Sequence, residues 1–212
     1  SLSGFGFQAL TPADLDGATA PPSGAPGLFM RHRDTEVHGP SGMPSNDLLE
    51  VWAFTVNWTT PASSGFSKIA DIQVAEFDSS LCGLTSFNCI AQPGTSTRLD
   101  PLREVIMWRL SYRNFGSRQV LVGNFSTAVG SDRAGVRWFE LRRTSGNWGL
   151  FQEGTYAPGN VSRWMGGIAM DKSGNMALGY NVGSSSTYPG LRYVGRLAGD
   201  GAGAMPQGEF TI

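Results

Sequence analysis

Both histidines of the chain fall in one short run, "HRDTEVH", in which His32, Asp34, Glu36 and His38 occupy alternate positions. An extended strand sends alternate side chains to the same side. Two imidazoles and two carboxylates would then converge in a set that suits zinc or another divalent metal ion, the cofactor these residues suggest. The same alternation also describes a half-exposed edge strand, and the "GPSGMPSND" that follows reads as a loop. A second chemistry is glycosidic or peptide cleavage by carboxylates drawn from different parts of the chain. Asp34 lies in one predicted unit and Glu104 and Asp132 in another, and paired acids of this kind cleave a glycosidic bond when they stand roughly 5 to 10 Å apart. Binding without turnover is a third. Trp108, Arg133, Tyr156, Arg163, Trp164 and Tyr188 combine ring faces that stack on sugars with guanidinium forks that grip carboxylates.

Other chemistries lack their residues. No "GxSxG" elbow occurs, a Ser-His-Asp arrangement would have to draw on His32 or His38, and no "GxxxxGK" phosphate loop is present. Sixteen Lys and Arg against 17 Asp and Glu give a net charge of -1, which excludes the basic footprint of a nucleic-acid partner. No run of 18 apolar residues marks a membrane helix, so the expected protein is soluble and makes no membrane contact.

Positioning such residues falls to short strands. The 212 residues include 29 Gly, 12 Pro and six Trp, with 16% charged residues, a balance that suits strands joined by tight turns. The predicted fold is all-β. Two stretches share one grammar: "MWRLSYRNFGSRQVLVGNFSTAVGSDRAGVRWFELRR" from Met107 and "MGGIAMDKSGNMALGYNVGSSSTYPGLRYVGRLAGD" from Met165. Leu110 matches Ile168, Gly123 matches Gly179, and Gly135-Val136-Arg137-Trp138 matches Gly190-Leu191-Arg192-Tyr193. A weaker copy runs through "GFGFQAL", "GLFMRHRD", "DLLEVWAFTVNW" and "FSKIADIQVAEF", with Trp52 in the place of Trp138. The units cover about 1–78, 98–157 and 158–212, each of four strands, as in the blades of a β-propeller. Three blades do not close a ring of about 4 to 8, so they form part of a larger one. The turn "DKSGN" at 171–175 is scaffold, because it lacks the alternating oxygen ligands of a calcium loop.

The connection at 79–97 holds both cysteines, and Cys82 and Cys89 are spaced to close a small disulfide ring. With the low charge and the sequons at Asn57, Asn124 and Asn160, the disulfide favours a secreted, extracellular protein.

The string "SDRAGVRWFELRR", "RWMGGIAMDKSGNMALGYNV" and "YPGLRYVGRLAGD" resembles the C-terminal half of a family of large, secreted, mostly bacterial β-propeller proteins to which no activity is attached. The resemblance implies preceding blades, and hence a processed chain that pairs with an N-terminal fragment of its own precursor. A second copy of the chain is the other way to complete the ring. The leading functional expectation is a secreted propeller that binds an extracellular ligand, carbohydrate first, through the aromatic and Arg residues of one face. The alternatives are a hydrolase or lyase using the carboxylates or a bound metal, and a structural half of a two-chain assembly.

Overall fold

A computed structural model of the chain describes residues 9–39, 46–83, 87–131 and 133–212. Most of the expected first strand at 4–10, and Asp132, lie outside the described residues.

The chain is all-β and runs as three successive four-stranded meanders. The first comprises β1 (Thr11–Asp16), β2 (Gly27–Arg33), β3 (Leu48–Thr55) and β4 (Gly65–Gln73), with a single helical turn, α1 (Thr35–His38), between β2 and β3. The second comprises β5 (Leu110–Asn114), β6 (Gln119–Ala128), β7 (Ala134–Arg143) and β8 (Gly149–Tyr156). The third comprises β9 (Ser162–Met170), β10 (Met176–Ser184), β11 (Thr187–Arg196) and β12 (Glu209–Thr211). Period-two patterning makes these strands: along β10, Met176, Leu178, Tyr180 and Val182 are buried while the residues between them are open or half-buried. The turn at 171–175 is scaffold as its residues suggest. The Asp171 carboxylate accepts the N–H groups of Ser173 and Asn175 at 2.7 and 2.9 Å, and Gly174 takes φ +88°, which favours glycine.

The first two meanders are fused. β1 pairs in parallel with β5, Ala13 opposite Leu110 through Asp16 opposite Arg113, giving one sheet of order β4-β3-β2-β1-β5-β6-β7-β8. Arg109 reinforces the seam by pairing with Asp14 at 2.7 Å and with Asp16. The eight-stranded sheet curls into a half-barrel. Its far ends approach where Glu153 accepts the Ala75 N–H at 2.8 Å and Arg137 donates to the Ala75 carbonyl at 2.9 Å. The concave side holds a core that includes Met30, Leu49, Val51, Phe125, Phe139 and Leu141.

The third meander is a separate sheet, β12-β11-β10-β9, laid over the convex side of the second. Val120, Val122, Val136 and Trp138 form a core there with Ile168, Leu178, Tyr180 and Val194. Ser111 donates to the Ile168 carbonyl at 3.3 Å, and Arg113 donates to the Met170 carbonyl at 3.0 Å. The close approach depends on glycine: a Cβ on Gly166 would overlap the Asn124 side chain, and one on Gly154 would overlap the Gly203 carbonyl. Face-to-face stacking of units is thus present between the second and third, while the first and second are joined edge to edge.

The register sharpens the repeat. Trp138 lies opposite Asn124 and Tyr193 lies opposite Gly179, so Asn124 is the counterpart of Gly179, and the expected match to Gly123 is one residue out. In a strand that slip exchanges faces. Gly123 points to the concave core beside Phe139, whereas Asn124 lies under β9 beside Gly166.

Candidate functional site

The residues around α1 come together, but not as an extended strand. β2 ends at Arg33 and the chain turns into α1, because Asp34 caps the turn by accepting the Val37 N–H at 3.1 Å. Alternation is lost there, which corrects the expectation that His32, Asp34, Glu36 and His38 share one side. Asp34 also accepts the Ser79 N–H at 2.8 Å, and buried Asp47 accepts the N–H groups of Thr35 and Phe77 at 2.9 and 2.8 Å. Two carboxylates therefore pin three separate segments through backbone amides that would otherwise be orphaned. His32 is enclosed, stacked on Phe125 at 4.6 Å and edge-on to Phe77 at 5.4 Å. Burial above all, with His38 and Arg31 nearby, pushes its pKa down to about 3. His38 bonds Glu104 instead, Nε2 to Oε2 at 2.6 Å, with both side chains buried.

The donor set this makes differs from the expected one. Among the described residues, the metal-ligating atoms that gather within 4.8 Å belong to Asp34, Glu36 and Asp47, without either imidazole. Asp34 and Asp47 already spend their oxygens on backbone N–H groups, so the cluster reads as a structural clasp. Burial raises the pKa of Asp47, and burial together with Asp47, Glu36 and Asp34 raises that of Glu76, the strain of packing like charges together. Asp34 and Glu104 are both buried acceptors and do not face an open channel.

The expected ligand-binding residues divide. Arg163 is 3% exposed, forks onto Glu209 at 2.7 and 3.0 Å and holds the Pro158 and Val161 carbonyls. Trp164 is buried against the disulfide segment, in a cluster with Leu81, Cys82 and Ile90. Tyr156 is half-buried against Tyr180, with ring centres 5.7 Å apart. Arg163 and Trp164 are scaffold, because their surroundings leave no access for a ligand, and Tyr156 packs under the Arg163 guanidinium. Trp108 and Tyr188 are open, at 64% and 72% exposure. Arg133 lines a cleft.

That cleft, about 570 Å³, opens between the Cys82–Cys89 disulfide segment, the β6–β7 turn and the β10–β11 turn. Its described lining carries Arg98 and Arg133, the hydroxyls of Ser131, Ser162, Ser184 and Ser185, and no carboxylate. Arg98 donates to the Cys89 carbonyl at 2.9 Å, and Arg133 to the Ala157 and Val129 carbonyls at 3.0 and 3.4 Å. Each guanidinium has five N–H donors, so backbone anchoring sets its position and leaves donors over. The Tyr188 hydroxyl reaches to the loop at Gly94, next to the cleft wall, and its ring stays open to solvent. Arg98 and the serines carry no sequence signal beyond "TSTRLD" and a serine-rich turn, and only the folding of the disulfide segment onto the third sheet gathers them.

No protein-family model matches the chain, and it has no significant match among curated proteins or solved structures. Fold and cleft define a class only: an all-β, disulfide-bearing protein whose described residues form two sheets and a cleft lined by arginines and hydroxyls. No helix among the described residues is long and apolar enough to cross a membrane.

The sequons separate on burial. Asn57 and Asn160 are exposed, whereas Asn124 is fully buried under the third sheet. Expression through a eukaryotic secretory pathway followed by glycopeptide mass spectrometry is expected to find glycan at Asn57 and none at Asn124 in folded protein. Full occupancy at Asn124 would contradict the packing described.

Proposed function

We propose that the protein is a secreted binding module, one part of a propeller-like ring, that takes an acidic saccharide in the Arg98–Arg133 cleft. The observation that carries this reading is the lining itself, two arginines and four serine hydroxyls with no carboxylate among the described residues. Guanidinium forks bind carboxylates in pairs of parallel hydrogen bonds, hydroxyls match the alternating donors and acceptors of sugar rings, and Tyr188 offers a stacking face at the rim. The disulfide in the cleft wall suits an oxidising, extracellular setting.

Calorimetric titration with a uronic-acid oligosaccharide and with its neutral counterpart tests the reading. The acidic sugar should bind more tightly, and less so at high salt. Arg98→Ala should weaken it by about 10- to 100-fold, the worth of a hydrogen bond to a charged group. Arg98 is exposed and bears little on folding. Equal affinity for both sugars, or an unaffected variant, would remove the cleft as the binding site.

A further inference from the structure

The two junctions within the chain obey one rule, and that rule leaves two faces open. Let the front of a unit be the face that the second unit presents to the third, and the back the opposite face. β1 and β5 run parallel side by side while their units extend in opposite directions, so the concave side of the half-barrel is the front of the first unit and the back of the second. Met30 and Val51 there meet Phe139 and Leu141. At the next junction Val136 and Trp138 of the second unit's front meet Leu178 and Val194 of the third unit's back. The second junction stacks front on back, and the first, joined edge to edge by β1 and β5, brings a front and a back together through the curl of one sheet.

Among the described residues nothing covers the third unit's front. The register that equates Trp138 with Tyr193 also equates Val136 with Leu191. Val136 and Trp138 are 0% and 1% exposed beneath the third sheet, while Leu191 and Tyr193 are 50% and 42% exposed. Phe210 stacks on Tyr193 at 5.5 Å, and the same face continues over Gly179, Ala177, Ala169 and Gly167 without a charged residue. Among the described residues the first unit's back is open as well. It carries Trp52, which lies on the opposite face from its expected counterpart Trp138, stacked on Phe66 at 5.4 Å, with Phe29 edge-on to Phe66 at 5.5 Å and exposed Phe54 beside them, and the same face continues into the ion pairs of Glu50 with Arg31, Arg33 and Lys68. Backs of the second and third units bury their apolar residues, so this aromatic back and the uncharged front are unlike ordinary solvated sheet faces.

We infer that the front of the third unit docks on the back of the first unit of a second copy of this chain, head to tail. The faces themselves name the occupant: the face that fits a front is a back, and the open back is that of this chain's own first unit. The particle proposed is a closed ring of two copies and six units, within the 4 to 8 that propellers use, and a head-to-tail fibre in place of a dimer would overturn it.

Native mass spectrometry and light scattering of the full chain read the result. The expected particle has twice the chain's 22.6 kDa mass. Tyr193→Asp and Phe66→Asp should each halve it, and far-ultraviolet circular dichroism checks that each variant keeps its strands. Mixing the two variants should restore a two-chain particle, because one junction then pairs an intact front with an intact back. A front-on-front dimer would give no such restoration. A wild-type monomer at high concentration, a dimer insensitive to both substitutions, or variants that fail to complement would each overturn the inference.

Discussion

Acidification from pH 6.5 to about 3 should cost the protein about 4 kcal/mol of folding stability through His32 alone, from a folded pKa of about 3 and about 1.4 kcal/mol per pH unit between the two pKa values. The imidazole is enclosed between Phe125 and Phe77, with His38 and Arg31 nearby, so burial and like charge both resist its protonation. Its folded pKa is depressed. The stabilisation is therefore complete above pH 6.5 and is lost as pH falls towards 3. Asp47 and Glu76 work against this trend, because their raised pKa values make the folded state take up protons before the unfolded chain does. Urea unfolding of wild type and His32→Phe across pH 7 to 4 isolates the histidine, since Phe keeps the stacking and removes the proton. The variant should show the shallower pH dependence. Parallel curves would show that His32 does not resist protonation in the fold.

Glu209→Ala should destabilise the protein by about 3–5 kcal/mol, the cost of stranding a buried charge. Arg163, 3% exposed, forks onto Glu209, and Tyr180 and Arg192 donate to the same carboxylate at 2.8 and 2.9 Å. Burial pushes the Glu209 pKa up, but the hydrogen bonds from Arg163, Tyr180 and Arg192 hold it at about 2. Its contribution is thus present above pH 4.5 and is lost as pH falls towards 2. Three cationic or hydroxyl donors lose their acceptor together, and the short strand β12 loses its tie to β9. The double variant Glu209→Ala, Arg163→Met should recover much of the loss, because no charge is then left without a partner. A single-variant cost below about 1 kcal/mol in thermal or urea unfolding would mean that water reaches Arg163 and replaces the carboxylate.

Much of the architecture was legible along the chain. Alternation in "MALGYNV", the turn residues of "DKSGN" and the repeated "GVRW" and "GLRY" place strands, a hairpin and a repeat, because each depends on neighbours within a few residues. The Cys82–Cys89 ring is local for the same reason. The functional residues were less legible. Its place beside a predicted turn marks Arg133, which lines the cleft, whereas nothing in its own segment marks Arg98. Arg163 and Trp164 looked like binding residues because Arg and Trp serve both ligands and cores. Their fate depended on Glu209, 46 residues away from Arg163, and on the disulfide segment.

The same division holds throughout the molecule. Local patterning dictates which residues form strands and which side of each strand is apolar. Which faces meet is settled by long-range pairing: β1 against β5 across about 100 residues, His38 against Glu104 at a separation of 66, and the third sheet across Val136 and Trp138 but not across Leu191 and Tyr193. An apolar strand face carries no label for its partner. The partner emerges from shape, register and the requirement that every buried charge and amide finds a counterpart, and those conditions exist only once the chain has closed on itself.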